Sequence, residues 1–214
     1  MIELVPETYF APLDLPRIFG RIAPLDVDLG CGDGDLLSEL AGRKPERNFL
    51  GVEKLASRVT KACRKAAALE NVRVLKGESS YAVRHLLPES CVETFYLLFP
   101  DPWPKRRHQR RRIAQSDFLG SIHRALAPSG ILRIATDQID YFKQIERLSL
   151  NDPRFEKIEH SDVDSLPVTK FERRFRAAGA PIYRLALRKI SPVTYPRARQ
   201  SRSPTSSSTA PASS

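Results

Sequence analysis

The sequence predicts an α/β protein built on a mainly parallel sheet with helices on both faces. Three observations carry that expectation. Short β-rich runs alternate along the chain with amphipathic helical patterns. The first run passes directly into a glycine-rich turn. Hydrophobic residues make up 41% of the 214, enough for a sizeable core, yet the longest uninterrupted apolar stretch, residues 95–99, has five residues. A membrane-spanning helix needs roughly 20.

The expected strands are residues 25–29, 48–52, 72–75, 92–99 and 131–135, followed by two late ones at 155–159 and 182–188 along one edge. After the first strand, Leu36, Leu37 and Leu40 share one helical face. Between the second and third, Leu55, Val59, Ala62, Ala66 and Leu69 recur at spacings of 4, 3, 4 and 3. Leu119, Ile122 and Leu126 predict a helix before the fifth strand, and Tyr141, Phe142, Ile145 and Leu148 one after it. Such sheets bind ligands outside the carboxyl ends of their strands.

Residues 1–15 are read as an N-terminal segment, 16–190 as the folded domain, and 191–214 as a disordered basic tail rich in Ser and Pro. The net charge is +10, and the tail's three arginines leave +7 on the rest, which favours an anionic partner. Cys31, Cys63 and Cys91 are odd in number and form no C-x-x-C pair, so neither disulfides nor a metal site are expected. The first basic residue is Arg17, and no apolar leader precedes it. A cytoplasmic protein without membrane contact fits these features.

The turn after the first strand reads Asp28-Leu29-Gly30-Cys31-Gly32-Asp33-Gly34-Asp35. Glycines let a backbone turn sharply and approach a ligand closely. A dinucleotide fingerprint needs a third glycine where Asp35 stands, and carboxylates at 28, 33 and 35 repel a pyrophosphate. S-adenosyl-L-methionine has no phosphate and carries a sulfonium and an ammonium, which suits these carboxylates. Glu53, 23 positions after Gly30, closes the second strand where a carboxylate accepts hydrogen bonds from ribose hydroxyls. Glu78 follows the third strand, where it either meets an adenine ring or starts a helix as a solvated carboxylate.

Phe99-Pro100-Asp101-Pro102-Trp103-Pro104-Lys105 follows the fourth strand, with three prolines to end it and stiffen the turn. Asp101 at a strand's carboxyl end can accept hydrogen bonds from a nucleobase, and Trp103 either stacks on it or anchors the turn in the core. Lys105, Arg106, Arg107, Arg110, Arg111 and Arg112 put six cations in eight residues beside that site. A charge run can be no more than a solvated face; beside a base site it can neutralise RNA phosphates. Lys170, Arg173, Arg174 and Arg176 around Phe171 and Phe175 form a second cluster.

Over roughly residues 20–190 the chain resembles the bacterial tRNA (guanine-N7-)-methyltransferases. The resemblance rests on the stretch from Phe99 to Lys105, the basic run ending in Arg112, Ala135-Thr136-Asp137, and Thr169-Lys170-Phe171-Glu172. It implies a Rossmann-like methyltransferase fold, with a seven-stranded, mainly parallel sheet and an antiparallel late edge strand. It also implies S-adenosyl-L-methionine as methyl donor and guanosine 46 of the tRNA variable loop as acceptor. Asp28, Gly30, Gly32, Gly34, Glu53, Glu78 and Asp101 then correspond to the cofactor site, with Asp101 also catalytic. Lys105, Asp137, Thr169, Lys170, Phe171 and Glu172 correspond to substrate-binding positions. Arg106, Arg107, Arg110, Arg111, Arg112, Arg173 and Arg174 are candidate RNA contacts. Asp28 and Glu78 depart from the family's usual Glu and Asp. Two other readings stay open: an amino methyltransferase acting on adenine N6 or guanine N2, and an RNA-binding module with a relic pocket. Oligomeric state is not legible, a monomer being favoured.

Overall fold

The computed structural model describes residues 2–158 and 166–190. The tail from Ser191 and the end of the expected strand at Glu159 lie outside the described residues. Eight strands form one sheet: β1 (Glu3–Leu4), β2 (Leu25–Leu29), β3 (Asn48–Glu53), β4 (Val72–Lys76), β5 (Val92–Leu98), β6 (Leu126–Thr136), β7 (Phe155–Lys157) and β8 (Tyr183–Lys189). Their order is β1-β4-β3-β2-β5-β6-β8-β7. The pairs from β1 to β6 are parallel, and β8 runs antiparallel to both β6 and β7. The sheet thus has one strand more than the expected seven. Glu3–Leu4 adds to the edge of β4, with Glu3 opposite Val74, and two residues are too few to show a period of their own.

Alternating residues of the central strands supply two cores. Phe49, Val72, Val74 and Tyr96 pack against α2 (Asp35–Arg43) and α3 (Ala56–Lys65) through Leu37, Leu40, Val59 and Ala62. On the other face, Leu50, Val52, Leu75, Phe95 and Leu97 meet α5 (Ser116–Ala125) and α6 (Ile139–Leu150) through Phe118, Ile122, Tyr141 and Ile145. A strand buried on both faces reads as a continuous apolar run, as residues 95–98 do. Before β2 lies α1 (Leu15–Phe19), and after β4 a helical turn α4 (Ser79–Tyr81) widens into a π-helical turn, Ala82–Leu86. The last helix, α7 (Lys170–Ala177), precedes β8.

Some boundaries differ from the sequence expectation. β5 stops at Leu98 because Phe99 takes a φ of 51°. β6 begins at Leu126, a residue expected on a helix: α5 ends ahead of Pro128, and Ser129 (φ 62°) with Gly130 turns the chain while it stays paired to β5. α3 ends at Lys65, short of Leu69. Among the described residues no helix is long and apolar enough to cross a membrane.

Candidate active site

The carboxyl ends of β2, β3, β4 and β5 share one rim, because these strands are parallel. At the end of β2 the chain turns through the glycine loop, and the Gly30 and Cys31 amides donate to the Val52 carbonyl at 2.8 and 3.0 Å. Gly30 has a φ of 79°, and a Cβ added there meets nothing within 4 Å, so the backbone faces open space. Gly34 differs. At φ 78° its added Cβ lies 2.9 Å from both the Cα and Cβ of Ala62, so this glycine lets α2 lie against α3. Gly34→Ala combines that clash with a left-handed backbone. It should lower stability by about 3 kcal/mol, seen as a fall in the urea midpoint at unchanged slope.

Glu53, 4% exposed at the end of β3, accepts hydrogen bonds from the Gly32 amide (3.1 Å) and the Leu55 amide (2.9 Å). The Arg58 guanidinium stands 3.9 Å away. Asp28, 5% exposed, has no cationic partner among the described residues. Burial first, and then the Glu53 charge, push its carboxyl up to about 7. A buried carboxyl held partly protonated lacks a cation, and that is the demand a ligand ammonium meets. Burial, followed by Asp28 and Glu53, also pushes the Cys31 thiol up, leaving it neutral.

Glu78 starts the helical turn, one of its two expected readings. It caps α4 by accepting from the Tyr81 amide (2.8 Å) and the Ser80 hydroxyl, and it also lines the cavity. Burial opposes its ionisation, but those hydrogen bonds and the nearby Lys54 win and hold the carboxyl below its usual range.

Two adjoining cavities occupy the rim, of about 230 and 170 Å³. The first holds Glu53, Glu78 and Trp103, and the second Asp28, Gly32, Lys170 and Phe171. Gly30, Phe99 and Asp101 belong to both. Asp101 sits between two residues with positive φ, Phe99 and Trp103 (40°), a conformation uncommon for non-glycine residues. Its carboxylate accepts from Lys54 Nζ at 3.1 Å. Trp103 is half-buried, outside the core. It meets His108 edge-on at 5.9 Å, and the Arg111 guanidinium lies 5.0 Å from its ring. The basic run forms a 3₁₀ segment, Arg106–Arg111, directly beside this mouth.

Residues 22–185 match a family model described as "Putative methyltransferase". The chain is 40% identical over 183 residues to the tRNA (guanine-N(7)-)-methyltransferase of Halorhodospira halophila, covering 82% of this chain and 79% of that one. It is 38% identical over 185 residues to the protein of the same name from Leifsonia xyli, covering 83% and 82%. The chain belongs to the tRNA (guanine-N7-)-methyltransferase family. Its backbone is similar to the solved structure of the 16S rRNA methyltransferase KamB, with a TM-score of 0.56 at 19% identity over 83% of this chain and 93% of that one, a likeness of fold.

In this methyltransferase the rim brings together Asp28, Gly30, Gly32, Glu53, Glu78, Asp101, Thr169, Lys170 and Phe171. Other expected site residues lie elsewhere. Arg112 is 4% exposed; its guanidinium donates to the Pro102 carbonyl (2.7 Å) and Gln144 (2.6 Å) and lies over the Tyr141 ring. It braces the proline turn and is withdrawn from any RNA surface. Arg112→Ala should therefore cost about 3 kcal/mol in a urea melt, where an exposed Arg106→Ala costs almost nothing. Glu172 is 5% exposed and takes Arg176 and Arg184 as ion-pair partners, tying α7 to β8, while the Thr169 hydroxyl caps α7 through the Glu172 amide at 3.1 Å. Asp137, just past β6, accepts from Gln138 at 2.6 Å and lines neither cavity. Lys105 is exposed ahead of the 3₁₀ segment. The residues the sequence did not single out are Lys54 and Arg58, which follow Glu53 closely and reach the mouth.

Proposed function

We propose that the protein transfers a methyl group from S-adenosyl-L-methionine to N7 of guanosine, at position 46 in the variable loop of tRNA. The observation that carries this reading is the convergence of Asp28, Glu53, Glu78 and Asp101 on adjoining cavities beside a basic segment. In this reading Asp28 takes the donor's ammonium, Glu53 its ribose hydroxyls, and Glu78 its adenine side. Bound there, S-adenosyl-L-methionine supplies a methyl group activated by its sulfonium.

Guanine N7 bears an in-plane lone pair and no proton, so the protein need not remove one. What remains is orientation and charge. Asp101 orients the base by accepting from its N1–H and N2–H groups, and the Lys54 ammonium, donating to one carboxylate oxygen at 3.1 Å, helps to direct it. Arg106, Arg107, Arg110 and Arg111 neutralise phosphates of the tRNA, with Lys105 next to the base. Mass-spectrometric nucleoside analysis of tRNA incubated with protein and cofactor tests the reading. N7-methylguanosine is expected, and it should vanish from a transcript carrying adenosine at position 46. An N2-methylguanosine or N6-methyladenosine product would replace this reading with an amino methyltransferase.

A further inference from the structure

A third cavity, about 370 Å³, lies between α3 and α7, of the size that takes a small ligand. Four cations line it, Arg58, Lys61, Lys170 and Arg174, together with the ring of Phe171 and a single carboxylate, Asp33. Asp33 already faces Lys61 at 3.8 Å, so the groove keeps a strong positive excess. The two aromatic residues of α7 differ in their surroundings. Phe175 packs on Phe99 with ring centroids 5.3 Å apart, whereas Phe171 is 45% exposed, with the Arg58 guanidinium 5.7 Å from its centroid.

An exposed aromatic ring among cations can stack on a base while the cations take its phosphates, and this is the combination that binds single-stranded nucleic acid. The groove shares Asp33, Arg58, Lys170 and Phe171 with the cavity that holds Asp28 and Asp101. The basic 3₁₀ segment reaches Asp101 from the Trp103 side, through Arg111.

We infer that the groove between α3 and α7 is a second nucleotide subsite, resting on the tRNA-methylating function proposed above. It takes a nucleotide flanking the target guanosine, with its base stacked on Phe171 and its phosphates on Lys61 and Arg174. The target base then enters at Asp101 between two separate phosphate grips, one on the 3₁₀ segment and one on α3 and α7. An acidic peptide satisfies the cations but leaves the ring uncovered, which favours a nucleotide.

The test measures tRNA binding to the full-length protein by fluorescence anisotropy across a series of salt concentrations. Lys61→Ala with Arg174→Ala should flatten the dependence of log K on log salt by about 1.4, two contacts at about 0.7 each for a single strand. Lys61→Arg with Arg174→Lys should keep the wild-type slope. Phe171→Ala should leave the slope alone and weaken binding roughly tenfold at every salt concentration. A wild-type slope in the double alanine variant, or wild-type affinity in Phe171→Ala, would overturn the subsite. If the wild-type protein itself neither binds tRNA saturably nor forms N7-methylguanosine, the proposed function fails. If it does both while the variants bind like wild type, only the subsite fails.

Discussion

Asp101→Asn is expected to slow single-turnover methylation of tRNA roughly 100-fold at saturating cofactor. The carboxylate presents two acceptors to the mouth shared by both cavities, and one already accepts from Lys54. An amide replaces one acceptor with a donor. Either the guanine N–H groups or Lys54 must then face an N–H, and the base loses its fixed angle to the pocket. Since N7 releases no proton, the wild-type rate at saturation should show no limb that reports removal of a proton from the nucleophile. A variant that kept most of the single-turnover rate would end the orienting role of Asp101. A wild-type rate that rose tenfold per pH unit at saturation would instead argue for proton abstraction.

The second large effect concerns Asp28, whose carboxyl titrates at about 7 in the free protein. A ligand ammonium stabilises only the carboxylate, so S-adenosyl-L-methionine affinity should rise with pH through about 7 and level off above it. Calorimetry in buffers of different ionisation enthalpy should show up to one proton released per cofactor below that pH. Asp28→Asn removes this dependence, and its difference from wild type separates the Asp28 titration from that of the ligand's own amine. Stability moves the other way. The folded pKa lies above the unfolded value of 3.8, so Asp28 costs nothing at pH 3, and its cost grows from about pH 4 to reach its full size above about 7. The full cost is about 4 kcal/mol at 1.36 kcal/mol per unit. At pH 8 the free Asn variant should therefore melt above wild type while binding cofactor more than tenfold more weakly. Equal pH dependence of cofactor binding in the two proteins would rule out Asp28 as the linked group.

Much of the site was legible because a parallel sheet converts strand order into spatial proximity. Once residues 25–29, 48–52 and 92–99 read as parallel strands, Asp28, Glu53 and Asp101 had to meet on one rim, and they do. Side-chain reach was not legible in this way. Lys54 finds Asp101 across 47 residues of sequence, a contact that no periodicity encodes. A run of like charges carries no sign of which member turns inward, so Arg112 read like its exposed neighbours although it lies under the proline turn. Glu172 corresponded to a substrate-binding position in the resemblance, and it is the approach of β8 that provides Arg184 as its partner.

The two-residue β1 and three-residue β7 stand at opposite margins of the sheet. Among the described residues every longer strand therefore has a neighbour on both sides, though β1 covers only two residues of β4 and β7 only three of β8. β4 depends most on this cover, since Val72, Val74 and Leu75 flank Arg73 in a β-favouring segment that Ile2, Glu3 and Leu4 shield on that side. Removal of Glu3 and Leu4 would open that side of β4, and such a variant is expected to aggregate more readily than the full chain in light scattering, an effect tempered by the charges of Arg73 and Lys76.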